Sequence, residues 1–183
     1  MNTIFVDGEV YYYDSDKATF FDENFMIPDP PVIQKLAETY FSSIDTTTIA
    51  DEQFISLIKQ AKKAEAYKVT IKLCETAFRT RIDELSTLRV ILPIYNSACR
   101  NAGFVKEGLE TTLRYYRLFK VDSSALFTTI GSSYCDLEDY DNALKFANKA
   151  YAMQGGGVGY NNELSLLYKR IRKLSPSHSN IDE

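Results

Sequence analysis

The chain has 183 residues, of which 45% are hydrophobic and 25% are charged, as expected for a globular protein large enough to form a proper core. It contains no apolar run of the ~18 residues that a membrane span needs. Its N-terminus lacks the basic start and apolar block of a secretory signal, so we expect a cytoplasmic protein without membrane contact.

Charge is divided unevenly along the chain. Residues 1–52 carry 11 acidic and 2 basic side chains, a net charge of −9, whereas residues 53–183 carry 14 acidic and 19 basic side chains, a net charge of +5. One interpretation is two ordinary solvated surfaces. The other is that the two regions meet, or that the basic body meets an acidic partner.

The first 28 residues predict a β-hairpin followed by an extended strap. The segments TIFV and EVYYY flank Asp7-Gly8, a pair suited to the positive φ angles of a type I′ turn. Two strands alone are marginally stable in water, so we expect them to pack on the helices or on a partner. The strand at residues 11–13 would offer a free edge, which makes a homodimer possible. Residues 14–28 show no clean period and are expected to lie over the helical body.

The next part of the chain predicts one helix and then two helix pairs. Asp29-Pro30-Pro31 is typical of a helix start, and the helix should run to about Phe41. The pairs are expected at residues 51–81 and 84–119, with a kink at Pro93. The side chains expected to face the core recur at helical spacing: Phe54, Leu57, Ile58 and Ala61; Tyr67, Ile71, Cys74, Ala77 and Phe78; Leu85, Leu88, Leu92, Tyr95 and Cys99; Phe104, Leu109, Leu113 and Tyr116.

Residues 125–153 predict two short amphipathic helices joined by a tight acidic turn. Gly131 lies within the first apolar stripe; because a mid-helix glycine costs roughly 1 kcal/mol against alanine, it suggests close packing by another helix. The two stripes are Phe127, Ile130, Tyr134 and Leu137, and then Tyr140, Ala143, Leu144, Ala147, Ala150 and Tyr151.

This pattern resembles a tetratricopeptide repeat (TPR), an array unit of about 34 residues. Phe127 stands at the family's tryptophan position and Ile130-Gly131 at its Leu-Gly. The family's two aromatic positions and its two packing alanines are matched by Tyr134, Tyr140, Ala143 and Ala150. The match is clearest over residues 124–155 and degenerate over 51–119. The resemblance implies an all-α fold of antiparallel helix pairs, stacked as a TPR-like α-solenoid of about three units with a C-terminal capping helix.

The C-terminal part completes this scheme. Residues 155–159 are rich in glycine but lack the Lys-Ser/Thr of a phosphate-binding loop, which predicts a helix terminator. Residues 160–174 predict the capping helix, with Leu164, Leu167, Tyr168, Ile171 and Leu174 facing inward. The predicted domains are therefore an acidic, aromatic hairpin and strap at 1–28, a helical domain at 29–174 and a disordered tail at 175–183.

By resemblance to the family, the first helix of each pair lines a concave groove. The side chains predicted there are mostly basic: Lys59, Lys62, Lys63, Arg89, Arg100, Asn101, Ser132, Asn162, Lys169, Arg170 and Lys173. They form either a solvated face or a groove that attracts acidic segments or a terminal carboxylate. The N-terminal strap is one candidate occupant of the groove, and a position on the rim or the convex face is equally compatible with the sequence.

No residue pattern predicts catalysis, a metal site or a cofactor. The sole histidine, His178, lies in the polar tail, and Glu138-Asp139 lies in the turn between two helices. Cys74, Cys99 and Cys135 are odd in number and far apart, which predicts buried free thiols in a reducing compartment.

The sequence therefore favours a non-catalytic protein-interaction module, an adaptor or regulatory subunit that binds a protein or peptide segment. Nucleic-acid binding through the basic body is an alternative, but a sequence pI of about 5.2 and the lack of a recognition motif disfavour it. A peptide-sensing regulator is another alternative. Relatives of that kind usually carry an N-terminal helix-turn-helix, whereas this N-terminus predicts a hairpin.

Overall fold

The computed structural model describes residues 1–80, 85–154 and 162–175. These residues are mostly helical with one small sheet, and the elements are β1 (Asn2–Val6), β2 (Glu9–Asp14), β3 (Thr19–Phe21), α1 (Pro30–Ser43), α2 (Asp51–Lys63), α3 (Tyr67–Thr80), α4 (Leu85–Asn101), α5 (Val105–Phe119), α6 (Ser124–Asp136), α7 (Tyr140–Met153) and α8 (Asn162–Leu174). The chain divides into two compact units, Met1–Ile82 and Asp83–Glu183. The glycine-rich segment at 155–159 and the tail beyond Ser175 lie outside the described residues.

The N-terminal unit begins with an antiparallel sheet in the order β1-β2-β3. Asp7 and Gly8 have φ angles of 55° and 87°, as a type I′ turn requires, so the predicted hairpin is confirmed. The predicted free edge at residues 11–13 is wrong, because β2 pairs with a strand on each side. The predicted extended strap at residues 14–28 is also wrong, because part of it forms the third strand, β3. The Asp14 carboxylate accepts backbone N–H bonds from Asp16 and Lys17, at 3.0 and 3.1 Å, where the chain turns back into β3.

The inner face of this sheet forms part of the core of the unit. Tyr13 is fully buried, and its ring centroid lies 4.8 Å from that of Phe20, 4.6 Å from that of Tyr40 and 5.4 Å from that of Phe41. Its hydroxyl donates to Oε1 of Gln60 on α2, at 3.2 Å, and burial raises the pKa of this phenol. The N-terminal residues are thus packed into the unit, where aromatic burial is a large stabilising term.

Helix α6 is the centre of the second unit, because it packs against α4, α5, α7 and α8. The close approach predicted at Gly131 is confirmed: a Cβ there would lie 2.8 Å from Cδ2 of Leu167 and 3.1 Å from the carbonyl oxygen of Ala143. A second close approach was not foreseen. A Cβ at Gly108 of α5 would lie 2.4 Å from Cβ of Cys99 on α4. Two glycines therefore set the spacing of these helices.

The predicted core is largely confirmed, including the three buried free cysteines. The errors fall at or near helix ends, where the apolar stripe runs past the last neighbouring element and the side chain meets solvent. The residues predicted to face inward that are exposed are Leu85, Phe104, Leu137, Tyr151 and Leu174.

We predict that Gly108→Ala destabilises the protein more than Gly131→Ala does. The new methyl group at residue 108 would meet Cβ of Cys99, which the backbone holds in place, whereas at residue 131 its nearest contact is the movable end of Leu167. Overpacking costs about 1–3 kcal/mol, and we expect Gly108→Ala near the top of that range. Urea unfolding, followed by circular dichroism, measures the free energy of unfolding of each variant. If both variants were as stable as the native chain, the close helix packing at Gly108 and Gly131 would be contradicted.

Candidate functional site

Between α4 and α8, one side of α6 is accessible near both ends of the helix, while Thr128 in the middle of that side is buried. We call this side the α6 strip. Ala125 is exposed, Ser132 is half-buried, and Asp136 is the last residue of the helix. Their spacing places them on one side of α6, since residues three, four and seven apart share a face. Ser132 donates its hydroxyl to the Thr128 carbonyl at 2.9 Å, so the hydroxyl is held against its own helix.

Asp136 joins the helices on either side of this strip. Its Oδ2 accepts a hydrogen bond from Nε of Arg100 on α4, at 2.5 Å, and its Oδ1 accepts from Nη2 of Arg170 on α8, at 2.7 Å. The three side chains are 22%, 21% and 41% exposed, respectively. We call this group the Arg–Asp–Arg bridge. It carries a net charge of +1, and each guanidinium has N–H donors beyond the one that bonds Asp136.

Electrostatics favour the ionised form of Asp136. Partial burial opposes its ionisation, but the hydrogen bonds and charges of Arg100 and Arg170 outweigh that cost and hold the pKa of the carboxyl below its ordinary value. The carboxylate is therefore charged throughout the neutral range. Both arginines are held toward the same point of the surface.

One turn below the bridge, a buried polar contact fixes α4 against α6. The Ser133 hydroxyl lies 2.8 Å from Oδ1 of Asn96 and 3.2 Å from the Thr129 carbonyl oxygen, and can donate to either. Asn96 and Ser133 are fully buried. Sequence reasoning missed both residues as well as the bridging role of Asp136. The available signal was a run of small polar residues within the apolar stripe of α6.

The structure brings together only part of the predicted groove. Arg100 and Arg170 meet through Asp136, with Ser132 about one turn away. Arg89 is exposed on the same side of α4 as Arg100, about three turns earlier, and Asn101 is exposed at the end of α4. The remaining predicted residues lie elsewhere: Asn162, Lys169 and Lys173 on the exposed side of α8, opposite its buried stripe, and Lys59, Lys62 and Lys63 on α2 of the N-terminal unit.

The second acidic feature of this unit, the turn before α7, has a structural role. The Asp139 carboxylate accepts a hydrogen bond from the backbone N–H of Asn142 and so caps α7. Across residues 1–80, 85–154 and 162–175, no group of three or more His, Cys, Asp or Glu side chains is arranged to hold a metal ion. Over the same residues, no helix combines the length and apolar character needed to cross a membrane.

Comparison with protein-family models and with curated proteins finds no match to this chain.

We predict that Asp136→Asn lowers the free energy of unfolding at pH 7 by about 1–3 kcal/mol, because two half-buried guanidinium groups lose a charged acceptor. The pKa of Asp136 is depressed in the folded state, so its contribution is present above the unfolded pKa of about 3.9 and is lost as the pH falls through the lower folded value. Stability of the variant should accordingly fall less steeply below pH 4 than that of the native chain.

The matched control is Glu110→Gln, which removes the same charge from an exposed position on α5. Urea titrations at several pH values measure both effects. An Asp136→Asn variant as stable as Glu110→Gln at neutral pH would show that the bridge does not stabilise the fold.

Proposed function

We propose that this chain is a non-catalytic protein-interaction module with TPR-like helix pairs, and that it binds an acidic segment of a partner protein. The proposed contact surface is the strip of α6 with the Arg–Asp–Arg bridge and the adjoining side of α4. The observation that carries the proposal is the bridge, in which one carboxylate holds two guanidinium groups from different helices at the surface.

Preorganisation is the physical advantage of this arrangement. Immobilising a long side chain on binding costs about 0.5–1.5 kcal/mol, and here Asp136 already holds both arginines before a partner arrives. The net charge of the bridge stays positive, so an incoming carboxylate is attracted and can accept the remaining N–H donors. A planar guanidinium also recognises a carboxylate with defined geometry, which a solvated lysine does not.

The shape of the strip is compatible with a peptide ligand. Ser132 is small and half-buried, and Arg100 and Arg170 reach Asp136 from either side of this end of α6. Arg89 extends the positive charge along α4. An extended or helical acidic segment lying along α6 would contact these arginines in turn.

The test is the binding of a fluorescein-labelled peptide of alternating Glu and Ser to the full chain, followed by fluorescence anisotropy. We expect Arg170→Gln to weaken binding by at least ~10-fold, equivalent to about 1.4 kcal/mol, because one of two charged donors is removed. The matched control Lys145→Gln removes the same charge from an exposed position on α7 and should change binding by less than about 2-fold.

Two further probes separate the alternatives. Peptides with a free and an amidated C-terminus distinguish recognition of a terminal carboxylate from recognition of acidic side chains. A labelled single-stranded oligonucleotide that binds more tightly than the peptide, with affinity falling steeply in salt, would favour the nucleic-acid interpretation. Equal loss of peptide binding in Arg170→Gln and Lys145→Gln, or no binding by the native chain, would contradict the proposal.

A further inference from the structure

The sheet of the N-terminal unit has a second apolar face. Side chains alternate along each strand, so Tyr11 and Tyr13 point inward and are buried. The residues between and beside them on β2, Val10 and Tyr12, point outward. The register pairs Phe5 with Val10 and Tyr12 with Phe21, so these four side chains lie side by side. Phe25, from the loop after β3, stacks on Tyr12 with a centroid distance of 5.6 Å and an interplanar angle of 8°. We call these five residues the outer sheet face.

The outer sheet face is accessible to solvent. Phe5 is 72% exposed and Phe25 is 60% exposed, and the next two residues after Phe25, Met26 and Ile27, are also exposed. A small antiparallel sheet usually presents polar side chains on its solvated face. A contiguous apolar patch in that position is typical of an interaction surface.

Charge indicates what kind of partner fits this surface. Residues 1–28 carry six acidic side chains and a single basic one, Lys17. Asp14 lies in β2, on the outward side, while Asp16 and Glu23 are exposed in the loops that flank β3. An apolar surface with acidic edges favours a partner that is both apolar and basic.

The only basic side chain of this segment already shows how a cation fits. Nζ of Lys17 lies 5.7 Å from the centroid of the Phe21 ring and 3.8 Å from Oδ2 of Asp14. A cation can therefore contact a ring and a carboxylate of this surface at the same time. Arginine is better suited than lysine to this combination, because its flat guanidinium stacks on aromatic rings.

A cleft between β2, the loop after β3 and Val32 of α1 adjoins the outer sheet face at Val10 and could accept a long side chain. Its volume is about 340 Å³, and its lining includes Val10 of the outer sheet face, Glu9, Asp22 and Glu23. The Asp22 carboxylate is engaged by the backbone N–H groups of Asn24 and Met26, at 2.9 and 2.8 Å, which holds the loop in this shape.

We propose that the outer sheet face is a docking surface for a basic, arginine-bearing segment of a partner protein. Apolar side chains of that segment cover Phe5 and Val10, and its arginines stack on Phe21 and Phe25 and approach Asp16 and Glu23. This surface lies in the N-terminal unit and prefers the opposite charge to the Arg–Asp–Arg bridge. Its occupation does not require the acidic-segment binding proposed for the second unit.

The first test uses a fluorescein-labelled peptide of alternating Arg and Leu with the full chain, at ~150 mM salt to screen diffuse attraction. The double variant Phe5→Thr/Phe25→Asn removes both exposed rings. Threonine suits a strand, and asparagine tolerates the positive φ of 60° at residue 25. We expect binding at least ~10-fold weaker. The control Leu118→Gln, at a side chain 68% exposed on α5, should change affinity by less than about 2-fold.

The second test concerns charge. Lys17→Gln removes the cation that already lies over Phe21 and should tighten binding of the Arg-Leu peptide about 3-fold, whereas Lys68→Gln makes the same change in net charge on α3 and should have little effect. Equal effects of the two lysine variants, or equal effects of the phenylalanine double variant and Leu118→Gln, would overturn the proposal. Equal affinity for a Glu-Leu peptide would also overturn it. Circular dichroism of each variant verifies that the fold is retained.

Discussion

The close packing around α6 is the constraint on which the second unit depends. Four helices contact this one helix, and at Gly131 there is no space for even one methyl group between α6, the backbone of α7 and Leu167 of α8. Small residues at such points allow backbones to approach, and dense packing then transmits any change to every neighbour. Because four helices enclose α6, few of its residues are accessible, and those that lie between α4 and α8 near its end are Ser132 and Asp136. The position of the candidate site thus follows from the packing of its central helix.

Polar contacts between α4, α6 and α8 add to the apolar packing of the second unit. The buried contact between Ser133 and Asn96 fixes α4 against α6, and one turn later Asp136 joins Arg100 to Arg170. Partly buried charges of this kind are costly unless each has a partner, which explains why the bridge contains one acid between two bases. The uneven charge of the chain has a local counterpart in each unit. Acidic side chains border an aromatic sheet face in the first, and a net positive bridge ends the α6 strip in the second.

Periodicity predicted the helices well because most are amphipathic over three or more turns. The hairpin was equally predictable, since Asp7-Gly8 suits a single turn type. The sequence did not predict β3, because three residues are too few to show alternation and its position depends on the turn after Asp14. Candidate site residues were harder. Arg100 and Arg170 were identified from their place on the helices, but 36 and 34 residues separate them from Asp136, so the pairing depends on tertiary packing. Helical spacing likewise predicts that a lysine such as Lys169 is exposed, but not which neighbouring side chains it meets.

An NMR titration of the isotopically labelled full chain with the acidic peptide locates the surface that binds an acidic segment. Amide chemical shifts report the contact surface residue by residue, without any substitution that alters charge or stability. We expect the largest changes at Ser132 and Asp136 of α6 and around Arg100 and Arg170, with small changes on α5 and α7. Changes concentrated in the N-terminal unit or on α5 and α7, with the Arg–Asp–Arg bridge unaffected, would contradict the proposed site.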